Sequence, residues 1–161
     1  MSDEPGEQRR LAAIMFTDMV GYSALSQRDE ALAIELLEEH RRLVRAIISK
    51  YQGAEIKTTG DGFLLEFGSA LSAVNCAVDI QSAMAQRNRA QPPLRQVSIR
   101  IGIHVGDILK RADDVIGDGV NIAARIEPLA EPGGIAVSQQ VYDHVQNKTA
   151  KPLVRVGAVD L

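Results

Sequence analysis

Asp61 occupies a position at which a carboxylate could act on a ligand. It lies in the Gly-Asp-Gly sequence of residues 60–62, between two β-type runs at 54–59 (AEIKTT) and 63–67 (FLLEF). This pattern predicts a β-hairpin with a tight turn, and the flanking glycines would let a phosphate or another chain approach the backbone. Asp-Gly is also a common hairpin turn, so the motif taken alone fits a purely structural role.

Asp18 is a second aspartate at a predicted strand end. It follows residues 11–17 (LAAIMFT), a nearly continuous apolar run typical of a strand buried on both faces. In α/β sheets, residues that bind ligands often lie at the carboxyl ends of strands. The alternative is that Asp18 only caps a turn. Lys57 lies inside the first hairpin arm, where a lysine needs its charged end to reach a partner or water.

These residue types suit phosphoryl chemistry. Asp18 and Asp61, on neighbouring strands, could hold two divalent cations, and oxygen ligands suit Mg²⁺ or Mn²⁺. Two-metal sites stabilise the attacking and leaving oxygens of an in-line displacement. Asn121 and Arg125 are four apart in a predicted helix, so they share a face from which they could orient a ribose and neutralise phosphate charge. The chain has no GxxxxGK[ST] sequence, which excludes the P-loop class.

The remaining pattern supplies the elements that would position these residues. Apolar spacings of three and four predict helices over 29–52, 69–84, 119–127 and 138–145. Apolar or alternating runs predict strands over 11–17, 54–59, 63–67, 97–105, 135–137 and 154–161. Residues 107–118 contain too many acids and glycines for a packed element, apart from 115–116. The order predicts an α+β fold, a ferredoxin-like βαββαβ sandwich with appended α/β elements.

Local signals add detail to these helices. Ser69 and Asp118 are predicted N-caps. Arg41, Arg42 and Arg45 are expected on the solvent side of the first long helix, where a solvated face is a better interpretation than a phosphate site. Residues 1–10 are expected to be a flexible lead before one domain at 11–161, whose final strand is interpreted as truncated.

Composition limits the classes of function. The chain has 161 residues, a net charge of −3 and 45% hydrophobic residues, which predict one soluble domain and argue against nucleic-acid binding. Its one cysteine, Cys76, lies in an apolar helical stretch and is expected to be a buried thiol. No apolar run approaches the ~18 residues of a membrane span, and no signal peptide is evident. A cytoplasmic location is the resulting expectation.

Three motifs in order carry a family resemblance: residues 16–23 (FTDMVGYS), 57–63 (KTTGDGF) and 114–125 (DVIGDGVNIAAR). Together they resemble the catalytic domain of bacterial class III nucleotidyl cyclases, from about residue 11 to residue 161. The resemblance implies an adenylate cyclase that converts ATP to 3′,5′-cyclic AMP and pyrophosphate with two Mg²⁺ or Mn²⁺ ions. It implies these roles: metal binding for Asp18 and Asp61, adenine recognition for Lys57 and Asp114, and contacts with ribose and triphosphate for Asn121 and Arg125.

The same resemblance implies a head-to-tail homodimer, because in the family one chain supplies the metal aspartates and the other supplies the remaining residues. A family lysine that contacts the polyphosphate would lie after residue 161, and further regulatory domains are expected there. Three alternatives stay open at this point. They are a weakly active or inactive nucleotide-binding module that signals by dimerising, a cyclase for another nucleobase, and a diguanylate-cyclase or polymerase-like palm domain. The last would require a Gly-Gly-acidic hairpin, which differs from the sequence at 59–62.

Overall fold

The structure, a computed structural model, describes residues 7–148 of the chain. Within this range the strands are β1 (Glu7–Met19), β2 (Ala54–Thr59), β3 (Gly62–Phe67), β4 (Ile99–Arg111), β5 (Asp114–Ile116) and β6 (Ile135–Val137). The α-helices are α1 (Tyr22–Arg28), α2 (Glu30–Ile48), α3 (Ala70–Arg89), α4 (Asp118–Ile126) and α5 (Gln139–Val145). No helix in the described part of the chain is long and apolar enough to cross a membrane.

The strands form one sheet with the order β2-β3-β1-β4-β5, and β6 runs parallel to β4. β1 is the central strand and pairs antiparallel with both β3 and β4. The four-strand order β2-β3-β1-β4, with helices after the first and third of these strands in the chain, is that of a ferredoxin-like sandwich. The predicted fold class is therefore confirmed.

The two faces of the sheet bury apolar cores of unequal size. Alternate residues of β1, such as Ala13 and Met15, face a large core built with α2, α3 and α5. The intervening residues face the other side, where the smaller cluster consists of Ala12, Ile14, Leu64, Ile108, Val115 and Ala123. α4 covers this second face only in part, since Phe16, Ile56 and Val120 stay partly exposed at its edge.

β1 and β4 are both longer than the sequence indicates. β1 begins at Glu7 rather than at Leu11, because it pairs along its whole length with β4, as far as Arg111. The prediction that residues 107–118 hold no packed element beyond 115–116 is wrong. β4 continues through them and turns into β5, since β1 supplies a hydrogen-bonding partner for this polar stretch.

The helix boundaries also differ from the predicted ones. α1 was not predicted, and the helix expected over 29–52 ends at Ile48, before a 3-10 turn. Asp29 is the N-cap of α2, and its side chain accepts a hydrogen bond of 3.1 Å from the Leu32 amide. The Ser69 cap of α3 is confirmed, because its hydroxyl accepts from the Ser72 amide at 3.1 Å.

The N-cap predicted for α4 is wrong. Gly117 occupies the cap position without a side-chain hydrogen bond, and Asp118 is the first helical residue. Gly117 has φ 118°, a conformation that favours glycine, and this explains the shift by one residue. Cys76 is a buried free thiol, as predicted. The strand predicted over 154–161 lies outside the described residues.

Candidate active site

Asp18 and Asp61 lie at the same end of the central strands. Asp18, the penultimate residue of β1, is opposite Gly62 of β3 and Arg100 of β4. The turn that carries Asp61 is tied to β1 by a hydrogen bond of 3.2 Å from the Met19 amide to the Asp61 carbonyl oxygen. The structure thus brings together the two aspartates that the sequence predicts as metal ligands.

Packing and backbone conformation explain why glycines flank Asp61. A Cβ atom on Gly62 would lie 1.6 Å from the Thr17 carbonyl oxygen, so no other residue fits between these strands. Gly60 has φ +50°, which glycine adopts without strain. The buried Thr17 hydroxyl accepts a hydrogen bond of 3.1 Å from the Phe63 amide and fixes the start of β3. This packing explains Gly60 and Gly62, but it makes no use of the Asp61 carboxylate.

The electrostatics of this pair favour a bound cation. Burial and then the negative charge of Asp18 raise the pKa of Asp61. Oδ1 of Asp18 is buried and has no hydrogen-bond partner in the described part of the chain. A buried carboxylate oxygen without a partner is costly, and a divalent cation would both satisfy it and offset the repulsion.

The residues present therefore fit a divalent metal held by Asp18 and Asp61. Among residues 7–148, no group of three or more His, Cys, Asp or Glu side chains could hold a metal ion. The protein would thus supply a pair of carboxylates, and other oxygens, such as those of a nucleotide, would complete the coordination. Mg²⁺ is commonly bound in this way, through one or two carboxylates and substrate phosphates.

Glu127 is a third carboxyl group beside this pair, and the sequence did not predict it. It lies just after α4 and is only 7% exposed. Gly102 of β4 makes the burial possible, because a Cβ atom there would lie 2.4 Å from the Glu127 backbone. Burial first, and then a hydrogen bond with Asp18, raise the pKa of Glu127 to about 8. An acidic residue at a helix end before a proline is common, so no signal in the sequence singles it out.

A pH prediction follows for Glu127. Its pKa rises from an ordinary 4.5 to about 8 on folding, so between these values the folded protein keeps a proton that the unfolded chain releases. The free energy of unfolding should therefore fall as pH rises through this interval. Glu127→Gln, which is neutral and of similar shape, should remove this part of the pH dependence and be more stable than wild type above pH 8. Urea unfolding across pH in the presence of a chelator tests this, and equal slopes for both proteins would contradict it.

Lys57 and Asp114, the two residues predicted to recognise adenine, form an ion pair with each other. The Lys57 ammonium lies 3.2 Å from Oδ2 of Asp114, and both side chains are about half exposed, at 51% and 46%. The Val115 amide, and then Lys57, lower the pKa of Asp114. Lys57 is opposite Leu64, whose side chain lies in the smaller core cluster. Lys57 therefore lies on the same face of the sheet as Asp18.

Asn121 and Arg125 lie on α4, the helix that covers this same face. The buried side of α4 contains Ala123, Ile126 and Gly119, and a Cβ atom on Gly119 would lie 2.8 Å from the Asp107 carbonyl oxygen. Asn121 and Arg125 are exposed. Within residues 7–148 neither side chain has a hydrogen-bond or ion-pair partner, so the structure leaves both available to a ligand. No hydrogen bond or ion pair in the described part of the chain joins either side chain to Asp18 or Asp61.

The chain matches known proteins over nearly its whole length. The model of the family described as "Adenylate and Guanylate cyclase catalytic domain" matches residues 5–161. A protein of Rhizobium meliloti (strain 1021) named "Putative adenylate cyclase 3" is 47% identical over 151 residues. That match covers 93% of this chain and 26% of the relative, so the chain spans about a quarter of the relative's length.

Solved structures agree with this match. An adenylate/guanylate cyclase/hydrolase from Silicibacter pomeroyi is 41% identical with a TM-score of 0.87, covering 94% of this chain and 88% of that one. The adenylyl cyclase CyaB from P. aeruginosa is 28% identical with a TM-score of 0.75, over 86% of this chain and 82% of the other. The resemblance inferred from the three sequence motifs is confirmed. The chain belongs to the family of adenylate and guanylate cyclase catalytic domains.

Proposed function

We propose that this chain is the catalytic domain of an adenylate cyclase, which forms 3′,5′-cyclic AMP and pyrophosphate from ATP at sites shared by two copies. The observation that favours adenine as the base is the Lys57–Asp114 ion pair, in which Nζ lies 3.2 Å from Oδ2. This pair lies on the same face of the sheet as Asp18. An ammonium donor beside a carboxylate acceptor is complementary to adenine, whose N1 accepts and whose N6 amino group donates. Guanine would instead present its O6 acceptor to Asp114.

The proposed reaction takes place within one nucleotide. The ribose 3′-hydroxyl oxygen attacks the α-phosphorus and its proton passes to water, the bond from that phosphorus to the bridging α–β oxygen breaks, and pyrophosphate leaves with the electron pair. Asp18 and Asp61 would hold one or two Mg²⁺ or Mn²⁺ ions, which lower the pKa of the attacking hydroxyl and neutralise charge on the leaving group. Asn121 would orient the ribose, and Arg125 would donate to the polyphosphate as charge shifts onto it.

The proposed homodimer rests on the smaller of the two core clusters. α4 leaves Phe16, Ile56 and Val120 partly exposed on the face that also carries Asp18 and Lys57. A second copy laid on this face would bury apolar surface and bring its own residues next to the substrate. Head-to-tail pairing would place Arg125 of one copy near the aspartates of the other. ATP as substrate and a single buried thiol fit a cytoplasmic location.

The direct test is a product assay with each of the four nucleoside triphosphates. The purified chain, supplied with Mg²⁺ or Mn²⁺, should convert ATP to cyclic AMP faster than it converts the other three to their cyclic products. Binding of ATP without turnover under either metal would favour the dimerising nucleotide-binding module. Faster conversion of GTP would favour a guanylate cyclase, an activity that the family includes.

A second prediction concerns base choice. Replacing Lys57 by Glu and Asp114 by Cys, the residue types of guanine-using relatives, should lower ATP use and relax selectivity for adenine. Each buried base contact left unpaired should cost roughly 1–3 kcal/mol, or about five- to 150-fold in kcat/KM for ATP. The ratio of kcat/KM for ATP to that for GTP is the measurement. Lys50→Glu, an exposed lysine in the 3-10 turn after α2, is the matched charge control. An unchanged ratio in the double variant would refute the role in base recognition.

A further inference from the structure

Arg41 of α2 contacts the turn that carries Asp61. The prediction that Arg41 lies on the solvent side of the helix is wrong, since its side chain is only 17% exposed. Its Nη2 donates a hydrogen bond of 3.0 Å to the carbonyl oxygen of Gly60, and its Nη1 donates to Oε1 of Glu38 at 3.2 Å. Two hydrogen bonds and little exposure restrict the orientation of this guanidinium, although the Glu38 side chain is itself 51% exposed.

The turn is thus attached to the rest of the fold on two sides. Arg41 binds the carbonyl oxygen of Gly60, and the Met19 amide binds the next carbonyl oxygen, that of Asp61, at 3.2 Å. Gly60 has φ +50° and no side chain, so its own conformation restrains the turn weakly. The two hydrogen bonds together fix the peptide from which the Asp61 carboxylate projects.

We propose that Arg41 is a positioning residue that holds the Gly60–Asp61 turn so that the Asp61 carboxylate is pre-oriented for the metal it shares with Asp18. The inference rests on the proposed function, because it assigns Arg41 a task within that site. The carboxylates of Asp18 and Asp61 repel one another, which burial strengthens. An untethered turn would move to increase their separation. Arg41 opposes that movement through the backbone and does not contact the substrate.

Arg45 provides a matched comparison on the same helix. Its Nε and Nη2 donate to Oε1 and Oε2 of Glu55 at 2.8 and 3.0 Å, and its guanidinium lies 5.4 Å from the centre of the Phe63 ring. The ion pair with Glu55 links α2 to the start of β2, at the other end of that strand from the Gly60 turn, and the Phe63 contact reaches the second residue of β3. Loss of either arginine removes a contact between α2 and the hairpin, but only Arg41 contacts the turn.

The test compares Arg41→Gln, Arg41→Lys and the control Arg45→Gln with the wild-type chain. The first measurement is the Mn²⁺ concentration that gives half-maximal cyclic AMP formation at saturating ATP. The second is Mn²⁺ binding, followed by electron paramagnetic resonance with 3′-deoxy-ATP, which lacks the hydroxyl needed for cyclisation. The third is hydrogen exchange of the Met19 amide, which reports on the turn without metal or turnover.

We expect Arg41→Gln to weaken Mn²⁺ binding and to raise the Mn²⁺ requirement about three- to tenfold, as loss of one charge-assisted hydrogen bond would do. Exchange of the Met19 amide should become faster. Arg41→Lys, which keeps a donor, should restore part of each effect, and Arg45→Gln should leave the Mn²⁺ requirement unchanged even where it lowers the melting temperature. If Arg41→Gln does not fold, the same three measurements are compared between Arg41→Lys and Arg45→Gln.

Wild-type Mn²⁺ binding in the Arg41 variants, or an equal loss in Arg45→Gln, would overturn the inference. Failure of the proposed function gives a different result, in which the wild-type chain itself forms no cyclic nucleotide and binds no Mn²⁺ with 3′-deoxy-ATP. In that case, hydrogen exchange of the Met19 amide still tests whether Arg41 holds the turn. Faster exchange in Arg41→Gln than in Arg45→Gln would support the tether to the turn, and equal exchange in the two would overturn it.

Discussion

Replacing Asp18 or Asp61 by alanine should reduce cyclase turnover by more than about 100-fold, because each removes one of two carboxylates proposed to hold the metal. The loss should appear in kcat and should persist at high Mn²⁺ and high ATP. Oδ1 of Asp18 has no hydrogen-bond partner in the described residues, and burial and the charge of Asp18 raise the pKa of Asp61. A bound cation would reduce the repulsion between the two carboxylates. The measurement is cyclic AMP formation with Mg²⁺ and with Mn²⁺.

The fold should survive these substitutions. The structural contact of Asp61 runs through its backbone carbonyl oxygen, which accepts from the Met19 amide and remains after substitution. Asp18→Asn and Asp61→Asn should even raise the melting temperature without metal, because either change removes the repulsion within the pair. Asp143→Asn, on the exposed side of α5, is the matched control and should leave turnover unchanged. Near-wild-type turnover in either aspartate variant would refute the metal assignment.

Much of the fold could be predicted because local signals and burial agree. The apolar run over 11–17 predicted the central strand, and the Gly-Asp-Gly turn predicted the hairpin of β2 and β3. The predicted Ser69 cap located the start of α3, where its hydroxyl accepts from the Ser72 amide at 3.1 Å. In each case the pattern within a short window matches the environment that the fold provides.

The elements that sequence missed depend on distant partners. β4 extends through a polar, glycine-bearing stretch because β1 lies beside it, and periodicity within that stretch gives no sign of this. Arg41 looks like an exposed helical arginine until the hairpin turn is placed against α2. Glu127 becomes buried only because Gly102, on another strand, lets the backbone approach. These are consequences of tertiary packing, which spacing along the chain does not encode.

The candidate site could be predicted from the sequence only in part. The pairing of Lys57 with Asp114, which are 57 residues apart, came from family resemblance and not from periodicity. The structure brings these two together, as it does Asp18 and Asp61, whereas Asn121 and Arg125 are exposed and form no hydrogen bond or ion pair with either pair within residues 7–148. In a site shared by two chains, Asn121 and Arg125 of one copy would act on the nucleotide held by the aspartates of the other.

Mixing two inactive variants should therefore restore activity if the site is shared. An Asp18→Ala chain keeps Lys57, Asp114, Asn121 and Arg125, and an Arg125→Ala chain keeps both metal ligands. A mixed dimer would then contain one site built wholly from wild-type residues and one site with both defects. With random exchange about half of the dimers are mixed, each with one working site of two, so roughly a quarter of wild-type activity should return.

A second mixture provides the control. Asp18→Ala and Asp61→Ala remove residues from the same half of the proposed site, so each site of their mixed dimer lacks one metal ligand and the mixture should stay inactive. Activity of the wild-type chain should also fall faster than linearly on dilution, since dissociation divides the site. Native mass spectrometry verifies that mixed dimers have formed. If they have, and the Asp18→Ala with Arg125→Ala mixture remains inactive, then the two groups of residues do not meet across a dimer.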